Sequence, residues 1–311
     1  MLNDASPSPG TVCVIIPLYN AAASIEQTLA SLSQQTRLPD NVIIVDDGSS
    51  DEGPQMVRDF VAPFPVTLLQ QANEGPASAR NKGIFKAKET FIAFLDADDQ
   101  WHPEKLEKQL ALYAELTRTG HRVGLIDCYQ LSVFSDGKEQ REERCKSGNH
   151  FADFMRENVI NGTSGVVVRR EAIVALGGFD QKLRYAEDRL LWTRIAEHWE
   201  VHTVPQVLIR RGVNASNITA QPQKYYPHKL KFIELYLELY GTRLTRQQRI
   251  DFVLANHADF LGTFSRRGEH AQVIKVFQKM LKHSWQTLIF FNGKPTLRYL
   301  YARMKTLRKA P

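Results

Sequence analysis

Nothing in this 311-residue chain approaches the ~20 consecutive apolar residues that span a bilayer. Its start, Met1 to Gly10, is short, polar and proline-bearing, without the basic-then-apolar order of a secretory signal. A cytoplasmic protein is the expectation. Cysteine is scarce: Cys13, Cys128 and Cys145 have spacings that suit neither a disulfide framework nor a metal cluster. In a reducing compartment the sequons at Asn161, Asn214 and Asn217 are coincidental. The first apolar run is not followed by a glycine-rich, basic phosphate loop, because Leu18-Tyr19-Asn20-Ala21-Ala22-Ala23 holds that place. This counts against a nucleotidyltransferase and, for want of the glycine fingerprint, against a dinucleotide-dependent oxidoreductase. Negative charge is missing from the end of the chain. No Asp or Glu follows Glu269, while nine Lys or Arg do; without those nine, 31 basic residues face 34 acidic ones, a net of −3. The surplus of +6 is therefore local, and it asks for a local partner. The tail carries no recognisable nucleic-acid module, so nucleic acid is not that partner.

What is present is an alternation. Hydrophobic content of 43% and charged content of 24% suit a globular chain, long enough for one large domain and a smaller appendage. Thr11 to Pro17, Val42 to Val45, Val66 to Leu69 and Thr90 to Leu95 are apolar runs with strand character. Helical stretches lie between them: one from Ser24 through Ile25, Leu29 and Leu32, a second ending near Phe60, a third from Glu74 to Lys88. Such a β-α-β-α-β-α-β series predicts an α/β fold with a doubly wound, mostly parallel sheet, whose ligands bind beyond the C-terminal strand ends. Further on, Trp101 to Leu116 reads as a helix, Val123 to Asp127 and Tyr129 to Phe134 as two strands, and Asp136 to Asn149 as a mobile loop. From Tyr225 the pattern is helical only. The expected organisation is a disordered tail over 1–10, an α/β domain over 11–224 and a helical extension over 225–311.

Three of the four strand ends carry candidate chemistry: Tyr19 and Asn20, Asp46 and Asp47, and the run Asp96-Ala97-Asp98-Asp99. Like charges this close repel unless a cation lies between them. An oxygen-only set suits Mg²⁺ or Mn²⁺, ions that complete their shell with water and substrate phosphate. A solvated acidic turn ahead of the helix at Pro103 is the other reading.

Several motifs in order make the chain resemble the family 2 glycosyltransferases of the GT-A fold over about residues 11 to 215. They are Val14-Ile15-Ile16-Pro17-Leu18-Tyr19-Asn20, Val45-Asp46-Asp47-Gly48-Ser49, Asn73-Glu74-Gly75 with Ala79-Arg80-Asn81 and Gly83, Phe94-Leu95-Asp96-Ala97-Asp98-Asp99, Gly177-Gly178-Phe179-Asp180, and Glu187-Asp188. The resemblance implies inverting transfer of a sugar from a nucleotide-sugar donor. Pro17, Tyr19, Asp47, Arg80 and Asp96 would then bind the donor, Asp98 and Asp99 the Mn²⁺ or Mg²⁺, and Asp188 would be the catalytic base. Asp47 is able to accept the N3–H of uracil, which favours UDP, or to bond its own turn backbone. Tyr19 is able to stack on the base. Arg80 and Lys82 would meet phosphate or sugar, or form a solvated helix face. Arg210 and Arg211 lie where relatives close over the diphosphate, but no histidine occurs between Arg210 and Ser216. No Gln-x-x-Arg-Trp motif is present, which points to addition of single sugars rather than processive synthesis.

The implied partners are a nucleotide-sugar donor and a glycan or lipid-linked acceptor of cell-surface polysaccharide synthesis. A non-catalytic nucleotide-sugar binder would keep the same donor residues. In the tail, Leu297, Leu300, Tyr301, Met304 and Leu307 form one helical stripe among Arg298, Arg303, Lys305, Arg308 and Lys309. Upstream of it Trp285, Leu288, Ile289, Phe290 and Phe291 cluster. This pattern fits either an interfacial helix on the anionic inner face of the membrane or a stripe packed on the protein's own helices.

Overall fold

The computed structural model describes residues 10–134, 136–213, 222–289 and 293–307, with Thr306 and Leu307 by backbone only. Residues 1–9, Asn214, Ser216, Asn217, Phe290, Phe291, Arg308 and Lys309 lie outside the described set, as does the side chain of Leu307. The chain divides into two compact units, Met1–Phe154 with Asn158–Asn214, and Met155–Glu157 with Ala215–Pro311.

In the first unit the four apolar runs become strands β1 (Val12–Leu18), β2 (Asn41–Asp46), β3 (Val66–Gln70) and β4 (Phe91–Phe94). Helices α1 (Ile25–Ser33), α2 (Gly53–Asp59) and α3 (Pro76–Lys86) connect them. All four strands pair in parallel, in the order β3-β2-β1-β4. Both faces of β1 are buried: Val12, Val14, Ile16 and Leu18 enter one core, Cys13 and Ile15 the other. That explains why the run is continuously apolar instead of alternating. Pro17 costs the sheet nothing on the β4 side, since the β1–β4 ladder ends at Ile15 and Phe94. On α3, a Cβ at Gly83 would stand 2.6 Å from Ile15 Cγ2, so glycine there lets the helix lie close on the sheet.

The remainder departs from the expected pattern in three places. Asp99–Trp101 is a short strand, β5, and the helix α4 (Lys105–Arg118) begins only after it. The two strands expected over 123–134 are one, β6 (Val123–Phe134). The stretch expected to be a mobile loop carries β7 (Glu139–Glu142), antiparallel to β6, and β8 (Ser147–Gly148), antiparallel to the later β10 (Glu200–Val213). Between them lie α5 (Phe151–Phe154), β9 (Val167–Arg169), α6 (Arg170–Ala175) and α7 (Glu187–Ala196). The ten-stranded sheet runs β3-β2-β1-β4-β9-β6-β10-β5, with β9 and β5 antiparallel to their neighbours. The sheet is therefore parallel over β3-β2-β1-β4 and mixed beyond β4.

The second unit is built from α8 (Pro222–Tyr240), α9 (Arg246–Arg266), α10 (His270–His283) and α11 (Lys294–Leu307). Thr245 caps α9 in a reciprocal capping box with Gln248. Aromatic rings hold the unit together, Tyr236 on Phe252 at 4.7 Å and Phe277 on Tyr299 at 4.4 Å. α11 turns Pro295 and Ala302 inward and leaves Leu297, Leu300, Tyr301 and Met304 between 51% and 65% exposed. No described helix is long and apolar enough to cross a membrane.

Candidate active site at the C-terminal strand ends

β1 stands between β2, which follows it, and β4, which returns on its other side. This is the switch point where the strand order reverses, the place at which such sheets bind their ligands. The turns there are laced together. Asn20, in the left-handed region at φ 47°, accepts at its Oδ1 from Ser50 N (2.8 Å), and its N–H donates to Ser49 Oγ. Asp51 accepts from Ala22 N (2.8 Å) and Gly53 N (3.0 Å). Tyr19 projects outward, 53% exposed.

Asp46 and Asp47 are both nearly inaccessible, for structural reasons that can be named. Asp46 accepts from Ser49 N (2.9 Å). Asp47 accepts from Glu74 N (2.9 Å), Gly75 N (2.8 Å) and the Gln71 side-chain amide (2.9 Å), tying the β2 end to the start of α3. A carboxylate has about four acceptor sites, so roughly one direction is left for a ligand. Lys82 donates to the Gln70 carbonyl, away from the acids.

The acids after β4 are held differently. Ser164, in the turn before β9, accepts from Asp96 N at 3.0 Å and donates to Asp99 Oδ2 at 2.5 Å. Asp99 is 3% exposed, and its Oδ1 has no hydrogen-bond partner among the described residues. Burial, then the Asp96 and Asp98 charges, push the Asp99 carboxyl well above the ordinary aspartate range. Burial and Asp96 raise Asp98 too. Two arginines answer this charge. Arg211 faces Asp99 across the β5–β10 ladder and draws both carboxyls back down. Arg80, 6% exposed on α3, bonds Asp96 Oδ1 at 2.7 Å and reaches Glu187 Oε1 at 3.4 Å.

Through Arg80 the strand-end acids are joined to α7. Ala186, at φ 58°, turns the chain sharply into that helix. Asp188 follows, with Oδ1 accepting from Arg189 N (2.7 Å) and Oδ2 from Thr163 Oγ1 (3.4 Å). Its neighbour Glu187 is buried, and burial with the Asp188 charge lifts its carboxyl to about 7.

The sequence candidates thus fall into groups. Asp96, Asp98, Asp99, Arg80 and Asp188 share one hydrogen-bonded and charged neighbourhood, Pro17 and Tyr19 lie at the C-terminal end of β1, and Asp47 braces the end of β2 against the start of α3. Sequence reasoning missed Ser164 and Thr163, whose turn shows no local signal. It underrated Arg211 and passed over Glu187 except as a neighbour. The donor set at the β4 end is oxygen-only with one buried oxygen unpartnered, which fits a hard divalent cation sharing its shell with phosphate. The three acids do not converge as a complete ligand set. Among the described residues, the one trio of metal-ligating side chains with ligand atoms within 4.8 Å of one another is His121, Glu200 and His202.

The model of the family "Glycosyl transferase family 2" matches residues 13–177. An uncharacterized glycosyltransferase of Rickettsia bellii is 30% identical over 69% of this chain and 30% of its own length. The amylovoran biosynthesis glycosyltransferase AmsB of Erwinia amylovora is 38% identical over 40% of this chain and 42% of its own length. The chain thus spans well under half of these relatives. Among solved structures, S. aureus TarS 1-349 in complex with UDP-GlcNAc superposes with a TM-score of 0.67. It is 19% identical, with 96% of this chain and 88% of that one covered, which is likeness of the GT-A fold.

Proposed function

This chain belongs to glycosyl transferase family 2, and on that premise we propose that it transfers one sugar from a nucleotide-diphosphate sugar to an acceptor hydroxyl, with inversion. The donor we infer is a UDP-sugar, and the acceptor a glycan or lipid-linked glycan of cell-surface polysaccharide synthesis. The observation that carries the reading is the β4 end at the switch point, where a buried aspartate oxygen has no partner among the described residues and lies beside two further carboxylates. Tyr19 offers an exposed ring to the base, and Asp47 keeps one acceptor direction for uracil N3–H. Asp98 and Asp99 would hold the divalent ion. When bound, that ion supplies the positive charge the departing diphosphate needs. Arg80 holds Asp96 and Glu187 in place. Asp188 takes the acceptor proton as its oxygen attacks the anomeric carbon; the C1–O bond breaks and its electron pair leaves with the nucleoside diphosphate.

The test has two arms. Calorimetry with UDP is expected to show weaker binding for Asp47→Ala, and unchanged binding would leave Asp47 a turn residue. NMR of the product is expected to show the anomer opposite to the donor's, and retention would overturn the inverting reading. A protein that binds donor but neither transfers nor hydrolyses it, with Mn²⁺ or without, would be a binder.

One specific observation favours a membrane surface as a further partner. The α11 stripe Leu297, Leu300, Tyr301 and Met304 is exposed, as are Trp285 and Ile289, with Lys294 and Arg303 beside it. Each basic residue near an anionic surface contributes about 1 kcal/mol. Flotation with anionic but not neutral vesicles is expected, and equal behaviour with both would remove this reading.

A further inference from the structure

The opposite end of the sheet, where β6 and β10 begin, holds a cluster to which the proposed transfer reaction assigns no role. α4 ends in a Schellman motif: Gly120 turns at φ 89° and donates to Thr117 O, and His121 N donates to Leu116 O. That fixes the backbone of His121. Two residues later β6 begins, and Val123 pairs with Glu200 at the start of β10. The register then slips by one residue at Gly124, where a Cβ would stand 2.5 Å from Trp199 Cβ, so only glycine fits the bulge. On β10, Glu200 and His202 are two apart and share a face. The result is convergence on one oxygen. His121 Nδ1 lies 2.8 Å from Glu200 Oε2, and His202 Nε2 lies 2.8 Å from the same atom.

We propose that His121, Glu200 and His202 form a site for a divalent ion of the zinc class, separate from the strand-end acids. Two imidazoles and one carboxylate are a known kind of zinc donor set, with water in the fourth position. The open position is available, because His121 is 45% exposed while His202 is 3% exposed. The buried imidazole is oriented by an outer partner, Ser147 Oγ at 3.1 Å from His202 Nδ1. Ligands at zinc distances lie about 3.3 Å apart in a tetrahedron, so both 2.8 Å nitrogen–oxygen spacings must open by about half an ångström as the ion enters, through a shift of the Glu200 carboxylate, which is 27% exposed, together with the exposed His121 ring.

The ion would do mechanical work. Ser147 belongs to β8, which pairs with Val201 and His202. A metal here ties the end of α4, the start of β10 and β8 together, and so anchors the polar segment 136–149 from its far end. The role is positional, remote from the transferred sugar.

The experiment uses the full chain, stripped with chelator, dialysed and titrated with Zn²⁺ and with Co²⁺. Wild type is expected to hold one more tight equivalent than His121→Ala, and Asp98→Asn is expected to keep that equivalent. Loss of a ligand should weaken binding by more than about 100-fold, since loss of an outer partner alone costs roughly 10–100-fold. Added Zn²⁺ should raise the melting temperature of wild type and of Asp98→Asn but not of His121→Ala. Glu200→Gln, which keeps the shape and a hydrogen bond, provides the second variant should His121→Ala fail to fold. Equal stoichiometry and affinity in wild type and the folded ligand variant would overturn the proposal. So would disappearance of the equivalent in Asp98→Asn.

Discussion

Asp99 and Asp127 belong to the same unit and are almost equally hidden, 3% and 0% exposed, yet their surroundings are opposites. Asp127 is satisfied on both oxygens: Thr203 Oγ1 donates at 2.5 Å, and Asn161 donates through its N–H at 3.2 Å and its side-chain amide at 3.3 Å. A buried cation, Lys105, helps to balance it; that ammonium bonds Gln109 Oε1 at 2.8 Å and lies 3.8 Å from the Trp101 ring. Burial brings Asp127 up to about 7 and Lys105 down to about 8, so neither charge is held at full cost. Asp99 has one donor, Ser164, two carboxylates for neighbours, and an oxygen with nothing on it among the described residues. A buried polar group left unpaired costs ~1–3 kcal/mol. A fold retains such a group where something else completes it. The contrast separates a carboxylate bonded on both oxygens from one with a buried oxygen left unpartnered among the described residues, the feature on which the proposed metal role rests.

The largest expected effect breaks the ligand-facing side at its chemistry. Asp188→Asn should leave donor binding intact while kcat falls by about 10²–10⁴-fold, the usual worth of a general base. Single-turnover kinetics with donor in excess would expose a smaller role if the loss is under tenfold. Next comes Asp98→Asn, for which metal-stimulated transfer should drop by about 10²-fold, or roughly 3 kcal/mol. Full wild-type activity in excess chelator would remove the metal from that account.

Two smaller effects sharpen the contrast itself. Asp99→Asn removes a carboxyl whose ionised form burial and the Asp96 and Asp98 charges oppose, so it should gain about 1 kcal/mol of stability, a rise in Tm of ~2–4 °C, while transfer is lost. A fall in Tm would mean that Asp99 is structural like Asp127. For Asp127 the sign follows from its raised carboxyl. Between the ordinary value of 3.8 and about 7 the folded state holds a proton that the unfolded chain has released, so stability falls as pH rises through that window. Asp127→Asn keeps the hydrogen bonds, its amide oxygen accepting from Asn161 and its NH₂ donating to Thr203. Denaturant titrations at several pH values should show a flatter profile for the variant, and an unchanged slope would assign the titration elsewhere.

Reading ahead from residues succeeded where the signal was local. Strands β1 to β4 announce themselves as apolar, β-branched runs because both sheet faces are covered. The acids at their ends stand out because three carboxylates in four positions are costly without a purpose. Failure came where the partner is distant. β5 is three residues, Asp99, Gln100 and Trp101, too short and polar to signal a strand, and it exists because Ile209 to Arg211 pair with it. That pairing is also what brings Arg211 to Asp99. The segment 136–149 reads as loop because its polar residues have no period, whereas its two short strands borrow the edges of β6 and β10.

Sequence by itself determined the α/β order, the strand ends where carboxylates gather, and the basic, acid-free character of the last forty-odd residues. These follow from periodicity and charge, which are properties of neighbours along the chain. Tertiary structure alone decided which acid is saturated and which is not, that Arg80 joins Asp96 to Glu187, and that Ser164 serves two of the strand-end acids. It also decided that His121 meets Glu200 and His202 across 79 residues. The physical reason is that hydrogen bonds and charge pairs act over a few ångströms of space, and only the packed sheet sets which distant residues share them.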